Sequence, residues 1–154
     1  MSFQNDLRIS ASALSAQRLR MNAISNNLAN ANTTRTAEGG PYQRQQVVFR
    51  PIFEQNFAAH LRLKNSHGEH LTPQFSQGEG VKAVAITQDT REGKMVYEPD
   101  HPDANAQGYV EYPNINVVAE MTDMISASRA YEANITATQT IKNMAMKALE
   151  IGRA

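Results

Sequence analysis

Residues 114–151 form a run of 38 without a glycine or a proline, entered from Pro113 and left at Gly152. Both flanking residues are natural stops for one continuous helix. At about 1.5 Å per residue that helix is about 57 Å long, more than a domain of this size can enclose, so it must lie along something elongated. Val117, Met121, Met124, Tyr131 and Ile135, with Ser128 in the gap, step by alternating fours and threes, the spacing of a coiled-coil seam. Ile141, Met144, Ala148 and Ile151 follow out of phase, so a slip of the seam is expected near Thr138. Between residues 126 and 140 only Arg129 and Glu132 carry charge. A helix with water behind it normally has a charged back, whereas small, weakly polar residues all round suit close contact with several neighbours.

Residues 3–34 mirror this pattern at the other end of the chain. They too lack glycine and proline, and Leu7, Leu14, Met21 and Leu28 recur every seven residues with Ile24 beside them. Ser10 and Gln17 occupy the intervening seam positions and weaken it. Arg18 and Arg20 are the only charges between residues 10 and 34, so this helix also has a small-residue back. Asn26, Asn27, Asn30 and Asn32 then compete for backbone groups, and the helix is expected to fray or end among them. Those amides read either as a cap and turn or as a network linking adjacent chains.

The 154 residues therefore divide into an N-terminal helix (1–35), a β-rich middle (36–113) and a C-terminal helix (114–154). The expected class is α+β, the two terminal helices pairing as a coiled-coil-like core. In the middle, Glu38, Gly39, Gly40 and Pro41 form a turn, residues 42–49 read as a strand stopped by Pro51, and residues 52–80 are an irregular insertion anchored by Phe53, Phe57, Leu61 and Leu63. Residues 81–87 and 94–97 read as a hairpin joined through Arg91, Glu92 and Gly93, and residues 108–112 as a short strand feeding the long helix.

Composition narrows the function more by exclusion. Zero formal net charge argues against nucleic acid as a partner, and the helices lack the basic face and Trp or Phe face of a membrane-surface binder. No cysteine is present, so no disulfide or thiolate chemistry is available. No run reaches the roughly 20 apolar residues of a membrane span, and no basic and then apolar leader opens the chain. His60, His67 and His70 lie close together with Glu69, but their loop composition favours a solvated turn over a metal site. Asp100, His101 and Asp103 among two prolines read as turn chemistry. No catalytic constellation, metal site or cofactor is expected; a small metalloenzyme using the histidines and a self-contained helical adaptor that dimerises through its ends are the weaker readings.

Ile24, Ser25, Asn26, Asn27, Leu28, Ala29, Asn30, Ala31, Asn32 and Thr33 resemble the N-terminal signature of the flagellar rod and hook axial proteins. Gly39, Gly40, Pro41, Tyr42, Arg44 and Phe49 extend the likeness, as do residues 112–118, 120–121, 123–134, 147–149 and 151–152, which are similar to the proximal-rod branch. The resemblance implies a structural subunit, not an enzyme, that assembles helically into the basal-body rod, transmits torque across the periplasm and lines part of the export channel. It also implies export by the flagellar type III apparatus without a cleaved signal. Implied partners are copies of the chain, other proximal and distal rod proteins, and the rod-to-membrane-ring adaptor with its ring. Subunit contacts are then expected at Leu7, Leu14, Met21, Ile24, Leu28, Asn30 and Asn32 on the first helix, and at Val117, Met121, Met124, Arg129, Tyr131, Glu132, Ile135, Met144 and Leu149 on the second.

Overall fold

A computed structural model of the chain describes residues 3–53 and 78–152; Phe57, Leu61, Leu63 and the three clustered histidines His60, His67 and His70 lie outside the described residues. The architecture is α+β, as expected. Helix α1 (Phe3–Ala29) and helix α2 (Val117–Ile151) flank four strands: β1 (Gln45–Phe53), β2 (Gly78–Gln88), β3 (Lys94–Tyr97) and β4 (Tyr109–Tyr112). The helices pack against each other and run antiparallel, since Asn27 near the end of α1 meets Glu120 near the start of α2. With 35 residues against 27, α2 outruns α1, and its last two turns or so extend past Phe3.

The helix ends follow local chemistry. Asn116 caps α2, its side-chain oxygen accepting from the Ala119 N–H at 3.2 Å, so the helix starts three residues later than the absence of glycine and proline suggested. Gly152 closes it, donating its N–H to the Ala148 carbonyl at 3.1 Å. At the other end the asparagine run stops α1 at Ala29. Asn30 donates its amide back to the Asn26 carbonyl at 2.9 Å and accepts from the Thr33 hydroxyl at 3.2 Å, which is a cap and turn.

The middle differs from the expected hairpin. Strand β2 pairs antiparallel with β1, from Gln45 opposite Gln88 to Phe53 opposite Gly78, and β3 pairs with β4, from Lys94 opposite Tyr112 to Tyr97 opposite Tyr109. Two separate two-stranded ribbons result. Arg91 breaks the supposed hairpin: its N–H and guanidinium bind the Asp89 carboxylate at 3.1 and 2.9 Å, tying a turn that leads the chain away from β2. Those bonds hold the Asp89 carboxyl down at about 2. Pro51 does not end β1, which continues to Phe53. A two-stranded ribbon leaves every second N–H of each strand unpaired, so a proline is tolerated in it.

Ribbon β1–β2 lies on α1. The Ser12 hydroxyl accepts the Val81 N–H at 3.1 Å, Arg8 pairs with Glu79 at 2.9 Å, and the Arg20 guanidinium sits 5.9 Å from the centre of the Phe49 ring. The approach is close enough to demand Gly80, where a Cβ would fall 2.3 Å from the Ser12 oxygen and φ is +119°. Gly93 is equally constrained, because a Cβ there would lie 2.0 Å from the Tyr112 carbonyl oxygen. Backbone must move to admit it, so Gly93→Ala is expected to lower the unfolding free energy by about 1–3 kcal/mol, read from the urea midpoint.

The buried apolar residues among those described are Ala16, Ala23, Ile24, Val110 and Ala127. Such a thin core leaves much of the helix pair to be held by its seam. On α1 the expected stripe is covered in part: Ser10 and Ile24 are buried, and Leu7, Leu14, Gln17, Met21 and Leu28 are half-buried, while Ala16, Ala23 and Asn27 on the adjacent line are buried as well. The seam leaves one acceptor, Gln17 Oε1, buried without a hydrogen-bond partner among the described residues. On α2 the seam is turned. Glu120, Met124, Ala127, Tyr131, Asn134, Thr138, Ile141 and Ala145 are its buried or half-buried positions, an unbroken four-three repeat with no slip near Thr138. Met124, Tyr131 and Ile141 belong to both the expected and the observed seams.

Candidate assembly interface

The end of α1, the start of β1 and the start of α2 converge on two buried polar side chains, Asn27 and Glu120, each 1% exposed. Burying an amide and a carboxylate is costly unless every polar atom is partnered. Here the partners come from three elements. The Asn27 amide donates to the Gln45 carbonyl at 2.9 Å and to Glu120 Oε2 at 3.0 Å. Its oxygen accepts the Gln45 N–H at 2.9 Å and the Tyr42 hydroxyl at 3.2 Å. Glu120 Oε1 accepts from Arg44 Nε at 2.6 Å.

The electrostatics are self-consistent. Glu120 sits in the first turn of α2, where the helix dipole favours negative charge, and Arg44 neutralises it. Burial first, and the Glu120 charge second, push the Tyr42 hydroxyl above its ordinary pKa, so it remains a donor to Asn27. Nothing in this arrangement is poised for proton transfer; it fixes the angle between two helices and a strand. Nearby, an open cleft of about 480 Å³ lies between residues 34–41 and ribbon β3–β4, where Thr34 donates to Asp103 at 2.8 Å. His101 Nδ1 accepts the Asp103 N–H at 3.1 Å, so that cluster serves a turn.

The second feature is what α1 leaves uncovered. Val117, Met121, Ile125, Ile135, Met144, Met146, Leu149 and Ile151 on α2 are all exposed, Leu149 by 70%. A helix that turns Glu120, Ala127, Asn134 and Thr138 inward and leaves most of its methionines and isoleucines outside has an unused apolar surface.

Of the interface residues expected from sequence, Leu7, Leu14, Met21, Ile24, Leu28, Met124 and Tyr131 are buried or half-buried within the chain. Val117, Met121, Ile135, Met144 and Leu149 are solvent-facing, as are Arg129, Glu132 and Asn32; Asn30 is used in the local cap. Among the described residues neither Arg129 nor Glu132 takes part in an ion pair. Asn27, Glu120 and Arg44 were not singled out for contacts by their spacing. Their signal is weak because the partners are 76 to 93 residues apart and Glu120 lies outside the seam that the apolar spacing picks out.

Comparison with known proteins agrees with this layout. Residues 7–35 match the family described as "Flagella basal body rod protein", and residues 106–151 match "Flagellar basal body rod FlgEFG protein C-terminal". The chain is 44% identical over 153 residues to the flagellar basal-body rod protein FlgC of Bacillus subtilis, spanning 97% of both chains. It is 42% identical over 159 residues to the FlgC of Borreliella burgdorferi, spanning 98% of both. Against the FlgC of Salmonella typhimurium it is 38% identical, over 99% of this chain and all of the relative. The matched segments cover α1 and the β4–α2 unit, and the full-length relatives bridge the middle. The chain belongs to the FlgC family of flagellar basal-body rod proteins.

Proposed function

We propose that this chain is a structural subunit of the proximal rod, packed helically in the tube wall that transmits torque across the periplasm and encloses part of the export channel. The observation that carries the reading is the exposed apolar face of α2, on a helix that turns Glu120, Ala127, Asn134 and Thr138 inward along with Met124, Tyr131 and Ile141. Such a subunit is incomplete alone and gains most of its helix burial from neighbours. The lock at Asn27 and Glu120 supports a stiff element, since it holds both helices and β1 at one end. Copies of the chain, other proximal and distal rod proteins, and the adaptor joining the rod to its membrane ring are the neighbours this reading calls for. Delivery is by the flagellar type III apparatus, which requires no cleaved leader.

The test separates folding from assembly. Ile125→Glu with Ile135→Glu changes two exposed positions, so the unfolding free energy of the purified chain is expected to stay within about 0.5 kcal/mol per site. In cells lacking the native chain, the same variant is expected to abolish swimming and to leave basal bodies without a complete rod in electron micrographs. Normal motility from the double variant would remove the support for this function.

A further inference from the structure

The open faces of the two helices match each other. On α1, Ala11, Ser15, Arg18, Asn22, Ser25 and Ala29 are exposed and spaced by four, three, four, three and four residues. On α2, Met121, Ile125, Ser128, Glu132, Ile135 and Gln139 have the same spacing, all exposed except the half-buried Ser128. Neither stripe belongs to the seam that joins α1 to α2 within the chain. Each is therefore a second seam of its helix, offset around the axis from the first.

We propose that the α1 stripe of a second copy of this chain seats antiparallel on the α2 stripe. Resting on the rod-subunit reading above, this names the partner of the exposed α2 face. One register satisfies both size and charge. It places Met121 over Ala29, Ile125 over Ser25 and Ile135 over Ser15, so each large side chain meets a small one. It also places Glu132 against Arg18 and Ser128 against Asn22. Arg18 is the charge on the open face of α1, and Glu132 is the acid between Asp123 and Glu150 on α2. Neither has an ion-pair partner among the described residues. Sliding by seven residues either way sets Arg18 against Ile125 or Gln139 and Glu132 against Ala11 or Ser25, losing the charge match.

The register carries a geometric consequence. Within the chain Asn27 lies opposite Glu120. In the proposed contact the incoming α1 is displaced by three residues relative to the chain's own α1, about 4–5 Å along the axis. Each copy offers one α1 stripe and one α2 stripe, so the contact is head-to-tail and propagates by a sideways step with a small rise.

The experiment uses the full chain in cells lacking the native copy, with swimming and isolated basal bodies as readouts. Arg18→Glu and Glu132→Arg each place like charges in the contact and are expected to reduce swimming by at least about tenfold. The double exchange, R18E with E132R, restores the pair and is expected to recover at least half of wild-type swimming. An independent measurement exploits the absence of cysteine: Arg18→Cys with Glu132→Cys is expected to give a ladder of disulfide-linked multimers in oxidised basal bodies, and neither single variant a ladder. Singles without effect, or a double exchange no better than its parents together with no ladder, overturn the contact. If cells lacking the chain altogether still build complete rods and swim, it is the rod-subunit reading that fails.

Discussion

Glu120→Ala is expected to lower the unfolding free energy by about 3–5 kcal/mol, the largest effect of any single side-chain truncation outside a terminus. The carboxylate is 1% exposed, and its removal strands two groups at once. Arg44, only 19% exposed, keeps its charge with no carboxylate beside Nε, and one donor of the Asn27 amide loses its acceptor. Water cannot fully replace either bond in so closed a position. Glu120→Gln is the informative companion: it keeps the shape and can still accept from Asn27 but leaves Arg44 with only the more distant Asp123 carboxylate, 3.9 Å away, as counter-charge. It is expected to cost about half as much, since hydrogen bonds to charged groups are worth about 1.5–3 kcal/mol. Urea unfolding of the purified chains measures both, and a loss below 1 kcal/mol for the alanine variant would show that the lock contributes little.

The second large effect is expected at Asn27. Alanine there removes four hydrogen bonds and leaves the Gln45 N–H, the Gln45 carbonyl and the Tyr42 hydroxyl short of partners, for a cost of about 3 kcal/mol. Asn27→Asp is nearly isosteric but puts a second carboxylate against Glu120. Its pKa in the folded chain is then raised, so the stability it withholds at neutral pH is expected to return as pH falls through that raised value. Unfolding midpoints at pH 7 and pH 5 check the sign: the gap between Asn27→Asp and wild type should narrow at the lower pH. A gap that widens would mean the new carboxylate is not facing Glu120.

Helix existence and ends were plain in the sequence because they rest on local chemistry. The absence of glycine and proline, Gly152 and the asparagine run each act on their own neighbours, and α1 ends among the asparagines. The α1 stripe was partly legible for the same reason: Leu7, Leu14, Met21 and Leu28 form the best apolar stripe and are half-buried, although Ala16, Ala23 and Asn27 beside them are buried more deeply. On α2 the two properties separate. Hydrophobic spacing finds the most apolar stripe, through Val117, Met121 and Ile135, but α1 packs on the adjacent line through Glu120, Ala127 and Asn134. Small residues allow close helix approach without leaving a periodic hydrophobic trace. Strand pairing failed differently. A hairpin reading joins nearest neighbours, whereas β1 finds β2 across residues 54–77 and β3 finds β4 across a proline-bearing turn. The lock was invisible because no spacing rule links residue 27 to residue 120.

Because the helices are antiparallel, Phe3 and Ile151 lie at one pole of the subunit and the lock lies toward the other, with ribbon β1–β2 running along α1 from Arg8 and Ser12 to Asn27 and ribbon β3–β4 leading into the start of α2. Among the described residues the subunit is thus an arrow, with the α2 overhang for a tail and a pinned head where β4 enters α2. Any array that repeats it by rotation and translation points the same way throughout. Its two tips then expose different surfaces, heads at one and overhanging α2 turns at the other. A protein shaped to receive the tails has no seat among the heads, so starting the array and continuing it are tasks for different partners.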